Sequence, residues 1–205
     1  MNEALRRRAL GLAAFTIVYN LLEGAVSLGF GLHDDSMALA GFGADSLIEV
    51  ASALIILWRL RGWEDVERER KAATGIGALF VLLGVVILAG SLLQLRAHSH
   101  PPTTWPGLII AALSLGIMAW LWRAKLALGR TLQSPALLAD AACSRACLQL
   151  SGVLFTGSLL FLLSQRFWWM DGLAALVLAL LITKEGVGMI REARKPDFAG
   201  GCGCH

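Results

Sequence analysis

Six long apolar stretches take up about two thirds of the 205 residues, and they leave room for little besides a membrane protein. They fall at about 9–29, 37–60, 72–95, 105–122, 135–163 and 167–190. A helix needs roughly 20 apolar residues to cross a hydrocarbon core. Within lipid, only helices and closed barrels satisfy their own backbone groups. The composition agrees, with 57% hydrophobic residues and a mean hydropathy of +0.66. The expected fold class is therefore all-α: a polytopic membrane protein with six transmembrane helices. Residues 1–195 form one membrane domain, and 196–205 form a flexible tail.

The basic residues set the orientation. Arg6, Arg7 and Arg8 precede the first stretch, and Arg59, Arg61, Arg68, Arg70 and Lys71 separate the second from the third. Arg123, Lys125 and Arg130 separate the fourth from the fifth, and Lys184, Arg191, Arg194 and Lys195 end the sixth. The opposite loops hold only Arg96 and Arg166. Lysine and arginine collect on the cytoplasmic side, so both termini are expected there, in the cell (inner) membrane. The net charge of +3 is thus a topology signal and makes no case for nucleic acid.

The chemistry lies in ionisable residues inside the apolar runs. Asp45 and Glu49 are i and i+4 in the second stretch, and Cys143 and Cys147 are i and i+4 in the fifth. On a helix that spacing stacks two side chains on one face. An intramembrane carboxylate is expensive and marks function or a hydrogen-bonded packing site. Two pairs of ligands would close a tetrahedral shell around one metal ion. Cys202, Cys204 and His205 add three soft ligands at the tail, where transient metal capture is expected. On this topology all four cysteines read as metal-binding rather than disulfide-forming.

Other polar residues have quieter readings. Asn20 and Glu23 in the first stretch serve packing or the ion path. Asp140, three residues before Cys143, is a candidate entry residue or support for the ligands. Arg145 lies about 200° round the helix from either cysteine and points off the site. It needs a carboxylate, and Glu23 is the expected partner. His33, Asp34 and Asp35 read as a solvated turn with Ser36 as helix cap, and His98 and His100 as exposed loop residues without a metal. Ser134-Pro135 reads as a cap followed by a first-turn proline. The third and fourth stretches lack central charges and look like scaffold, the segment 62–71 is a charged connector, and Asp171 caps the sixth stretch at the interface.

Aligned from their caps, the second and fifth stretches match at Ser36 with Ser134, Ala38 with Ala136, Ala44 with Ala142 and Ser46 with Ser144. Asp45 then falls on Cys143 and Glu49 on Cys147. The two stretches run in opposite directions, which is compatible with a three-plus-three inverted repeat. At 1.5 Å per residue, Asp45 sits about 13 Å below one end and Cys143 about 13 Å above the other. Asp45 should be level with Cys147, and Glu49 with Cys143.

These residues resemble the cation diffusion facilitator (cation efflux) family over nearly the whole chain. The carriers are 20–24 (Asn-Leu-Leu-Glu-Gly), 45–49 (Asp-Ser-Leu-Ile-Glu), the stretch from Ala139 and Asp140 through Cys147 and Ser151, and 169–177. The resemblance implies a proton-coupled exporter of divalent metal, typically a homodimer, working through Asp45, Glu49, Cys143 and Cys147. The family's second helix commonly carries two aspartates and its fifth a histidine and an aspartate; here Glu49 and two cysteines stand instead. The family's cytoplasmic C-terminal domain has no counterpart in these 205 residues, so the likeness is to a short form.

The expected function is secondary transport of zinc or cadmium out of the cytoplasm in exchange for protons. No cofactor is expected beyond the transported ion. A membrane metal sensor or partner-binding subunit, and soft-metal uptake of copper or mercury, are the alternatives. No nucleophile and base stand together, so an enzyme is not expected. With both termini inside, single cysteines placed at His33 and at His98 should be labelled from outside by an impermeant thiol reagent. Labelling from the cytoplasmic side alone would reverse the orientation.

Overall fold

The computed structural model describes residues 3–33, 37–61, 65–97, 105–163 and 168–196. Those residues form six α-helices and no strand: α1 (Glu3–His33), α2 (Met37–Leu60), α3 (Val66–Ala97), α4 (Trp105–Leu132), α5 (Pro135–Leu163) and α6 (Trp168–Ala193). The all-helical membrane fold is as the apolar runs dictate. Among the described residues, Glu3–Phe30, Val66–Leu93 and Leu108–Leu132 are long and apolar enough to span a bilayer. In α2 and α5 the apolar runs carry Asp45, Glu49, Asp140 and Arg145. Asp34, Asp35, Ser36, His98, His100, Cys202, Cys204 and His205, and the side chains of His33 and Asp171, lie outside the described residues.

Several helices run further than their apolar cores. α3 begins at Val66, not after Lys71, because Asp65 caps it: Asp65 Oδ1 accepts from the backbone N–H of Glu67 (3.0 Å) and Arg68 (3.2 Å). The segment read as a solvated connector therefore supplies a helical turn. Its Glu69 is buried, pairs with Arg59 of α2, and accepts from Ser134 Oγ (2.6 Å) and the backbone N–H of Ala136 (2.8 Å). Ser134 does cap α5 as its sequence suggests, accepting from the backbone N–H of Leu137 at 3.3 Å. Glu69 adds a negative charge at that helix's positive end.

α4 likewise continues past Trp122 to Leu132. It stops in a two-step backbone lock. Ser134 N–H bonds Gly129 O at 3.1 Å and Gln133 N–H bonds Arg130 O at 3.3 Å. This paired closure requires a left-handed residue just past the helix, and Gln133 takes it with φ 48°. The turn folds α5 straight back along α4.

The helices associate as close pairs. α1 packs along α2, α4 along α5, and α3 along α6, while α1 with α4 and α2 with α5 meet over shorter stretches. α2–α3 and α5–α6 contacts complete the assembly. The pairing α1–α2, α2–α3 is thus repeated as α4–α5, α5–α6, the pattern a three-plus-three repeat gives. In a bilayer the hydrophobic effect does not press helices together, so close approach relies on small residues. A Cβ on Gly43 of α2 would stand 2.7 Å from Leu28 Cγ and 3.1 Å from Gly24 O of α1. In the α3–α6 pair, a Cβ on Gly186 would stand 2.6 Å from Phe80 Cβ and 2.7 Å from Gly77 O. One on Gly77 would meet Gly186 O at 2.9 Å, so the two backbones touch.

That contact is testable by substitution within one helix. Gly186→Ala should lower stability by about 1–3 kcal/mol, the range for overpacking, because backbone atoms cannot yield. A Cβ on Gly188 meets nothing within 4 Å. Gly188→Ala should therefore leave stability unchanged or raise it through helix propensity. Thermal unfolding of the detergent-solubilised variants distinguishes the two.

Candidate metal site

The interior formed by α1, α2, α4 and α5 is polar along a helical stripe. Thr16, Asn20, Glu23 and Ser27 of α1 follow one another at spacings of four, three and four. Asp45, Ser46, Glu49 and Ser52 of α2 face them. Ser114 and Lys125 come from α4, and Asp140, Cys143, Ser144, Cys147 and Ser151 from α5. None of these residues is more than 5% exposed. Where the middle of α3 packs on α6, the buried residues are instead apolar, with Ile76, Phe80 and Leu83 against Leu178, Ala179 and Ile182; the buried polar residues of α3, Glu69 and Ser91, lie nearer its ends.

Asp45, Glu49, Cys143 and Cys147 are all inside this stripe, and both cysteines are free thiols. Asp45 faces Cys147, and Glu49 is the acidic neighbour that bears most strongly on Cys143. That is the order the depth arithmetic gives. The Cys147 thiol adjoins the Asp45 carboxylate and the Ser144 hydroxyl adjoins Glu49, but neither Asp45 oxygen, nor Glu49 Oε1, nor Ser144 Oγ makes a close, well-aligned hydrogen bond. Buried polar atoms are almost always hydrogen-bonded. A concentration of open acceptors between two thiols is a donor set that suits a cation. Among the described residues, however, no three His, Cys, Asp or Glu side chains stand together at metal-holding spacing. The arrangement is two facing pairs, not a closed shell.

Lys125 completes the constellation, and sequence reading assigned it to a cytoplasmic loop. Because α4 continues to Leu132, Lys125 is buried between α4, α2 and α5. Its Nζ lies 3.2 Å from Glu49 Oε2 and 3.1 Å from Asp140 Oδ2. Ser52 Oγ donates to Asp140 Oδ1 at 2.6 Å. The signal was present in the spacing: Ser114, Met118, Leu121 and Lys125 repeat the four-three-four step that places Thr16, Asn20, Glu23 and Ser27 inward. α4 is therefore more than scaffold.

The remaining candidates divide. Glu23 accepts from Tyr19 Oη (2.6 Å) and Ser46 Oγ (3.1 Å), and it adjoins Ser114, which bonds Ser151 Oγ at 3.3 Å. It extends the polar stripe beyond Asp45. Asn20 donates to Thr16 O at 2.9 Å, which leaves its Oδ1 open. Asp140 is held by Ser52 and Lys125. Arg145 points off the site as expected, but its partner is Glu185 of α6 and not Glu23. The reason is directional: α6 covers the side of α5 opposite the cysteines, while Glu23 is engaged inside the bundle by Tyr19 and Ser46.

The sequence profile described as the Cation efflux transmembrane domain matches residues 13–195, which takes in every residue of this stripe. The chain belongs to the cation efflux family. It is similar as well to Transmembrane protein 163 of Xenopus laevis, with 23% identity over 190 residues, covering 91% of this chain and 68% of that protein. As a cation efflux family member it is an integral membrane protein concerned with the transport of metal cations, and the family's members are transporters rather than enzymes.

The Arg145–Glu185 pair gives an internal control for the site. Contacting partners couple by about 0.5–3 kcal/mol. Arg145→Gln, Glu185→Gln and the double variant should form a non-additive cycle in thermal stability. Cadmium-versus-zinc preference should stay unchanged in all three. A shift in preference would bring α6 into the ligand shell.

Proposed function

We propose that this cation efflux protein exports a thiophilic divalent cation, zinc or cadmium, in exchange for protons, with Asp45, Glu49, Cys143 and Cys147 as ligands. The observation that supports this reading is the burial of two carboxylates opposite two free thiols, with three carboxylate oxygens that make no close hydrogen bond. Two sulfurs and two oxygens suit a tetrahedral ion of borderline softness. The carboxylates disfavour a purely soft cargo such as copper(I). Loading draws the two facing pairs together around the ion.

Exchange follows from ligand chemistry. A thiol binds metal as thiolate, so loading releases protons and protons displace the metal. A proton gradient across the membrane then drives release on the acidic side. Export from the cytoplasm of the inner membrane, with both termini inside, follows the Lys/Arg asymmetry, and a homodimer follows family precedent. Cys202, Cys204 and His205 would gather metal at the tail without forming the transport site, and Asn20, Glu23 and Asp140 would line or brace the path.

Competitive cadmium-versus-zinc flux into liposomes tests the assignment. Cys143→Ala or Cys147→Ala should cut cadmium flux by more than about tenfold, the scale that loss of even an outer partner costs a metal site. Cys143→His with Cys147→Asp exchanges both sulfurs for nitrogen and oxygen. Transport should persist while preference moves from cadmium toward zinc or manganese. Folded alanine variants that carry cadmium at parental rates would remove α5 from the ligand set. Cadmium binding without flux in the parental protein would make it a sensor.

A further inference from the structure

A cation already resides in the bundle as part of the chain. Lys125 Nζ sits between Glu49 Oε2 and Asp140 Oδ2, at 3.2 Å and 3.1 Å, and its side chain is 2% exposed. The two acceptors differ in what else they do. Asp140 has both oxygens engaged, one by Ser52 and one by Lys125. Glu49 has one oxygen on Lys125 and the other in no close hydrogen bond, with the Ser144 hydroxyl as its neighbour. The ammonium also lies within electrostatic range of the Cys143 thiol.

We infer that Lys125 is a specificity-determining residue for cation transport: a tethered internal cation that competes with the metal ion for Glu49. The inference rests on the proposed membrane site, specifically on Glu49 as a ligand. In the low dielectric of the interior, a divalent ion and an ammonium cannot share one carboxylate without strong repulsion. Metal entry therefore moves the ammonium off Glu49 and wholly onto Asp140, which is its parking carboxylate. The four-carbon stem of lysine is flexible enough for that swing. When the ion leaves, the ammonium returns and keeps Glu49 from standing as an uncompensated buried charge. Metal binding is weakened by this competition, and release is helped by it. A transport site needs that balance, because an ion held too tightly does not leave.

The test combines equilibrium cadmium binding to the detergent-solubilised full chain with cadmium flux in liposomes. Lys125→Met removes the competitor. Lys125→Met with Asp140→Asn removes the competitor and its parking carboxylate together, so the net buried charge is that of the parental cluster and only one carboxylate, Glu49, loses its partner, against two in the single variant. Lys125→Arg keeps a cation. The double variant should bind cadmium at least tenfold more tightly than the parental protein and turn over more slowly, with KM and kcat falling together. The arginine variant should retain parental-like weak binding. A purely structural lysine would give the opposite: unchanged or weaker binding in the folded double variant, which overturns the inference. Failure of the underlying site reading is separable, since Glu49→Gln is measured in parallel. If Glu49→Gln leaves cadmium binding intact while the double variant tightens it, Lys125 competes at another ligand and the Glu49 assignment falls.

Discussion

A buried ammonium with carboxylates on two other helices constrains everything around it. Lys125 comes from α4, Glu49 from α2 and Asp140 from α5. Removing the ammonium would leave two carboxylates uncompensated in a setting where no water replaces it. Such a triad adds little net stability, since desolvation offsets much of the attraction. What it does is fix register. Three helices must reach the same level with the right faces turned inward, and the Asp45–Glu49 and Cys143–Cys147 pairs are carried to that level with them.

The remaining helices make this register possible without entering it. The α3–α6 pair joins backbone to backbone at Gly77 and Gly186, and apolar side chains fill the middle of that contact. Glu69 at the start of α3 ties the α5 N-terminus to Arg59 of α2. Glycine contacts and helix-end electrostatics thus set the distances between helices, while the polar stripe sets which faces turn inward. The two kinds of residue share α1 and α2, where Gly24 and Gly43 stand beside Glu23 and Asp45, but they answer to different demands. Close approach wants no side chain, and an ion path wants many polar ones.

Much of this was legible in the sequence. Apolar run lengths gave six helices, and the i, i+4 pairs with their depths gave Asp45 facing Cys147. The Ser134-Pro135 cap was readable as well. What failed was the assumption that charge ends a membrane helix. Lys125 was placed between the fourth and fifth stretches and Glu69 in a charged connector because each follows or precedes an apolar run, yet both are buried by partners outside their own helices: Asp140 and Glu49 for one, Arg59 and Ser134 for the other. Pairing across helices is a tertiary property, and hydropathy along one helix cannot register it. Periodicity could have caught Lys125, since it falls in step with Ser114, Met118 and Leu121. For Arg145 the direction was readable but the partner was not, because α6 and α1 were equally free to lie on that side until the packing was known.

The helix pairing also bears on how an ion could be passed. α1 with α2 and α4 with α5 are close pairs, whereas the contacts between those pairs are shorter. Asp45 and Glu49 belong to one pair; Cys143, Cys147, Asp140 and Lys125 belong to the other. The proposed ligands therefore face each other across the less extensive seam, which Lys125–Glu49 and Ser52–Asp140 now bridge. An ion ligated from both sides replaces the ammonium bridge with a bridge of its own. Alternating access commonly moves one bundle against another around a fixed midplane site. On the proposed mechanism the two helix pairs would be the moving bodies. An exchange of lysine for metal at their seam would change which contacts hold them together, and so couple occupancy of the site to the position of the pairs.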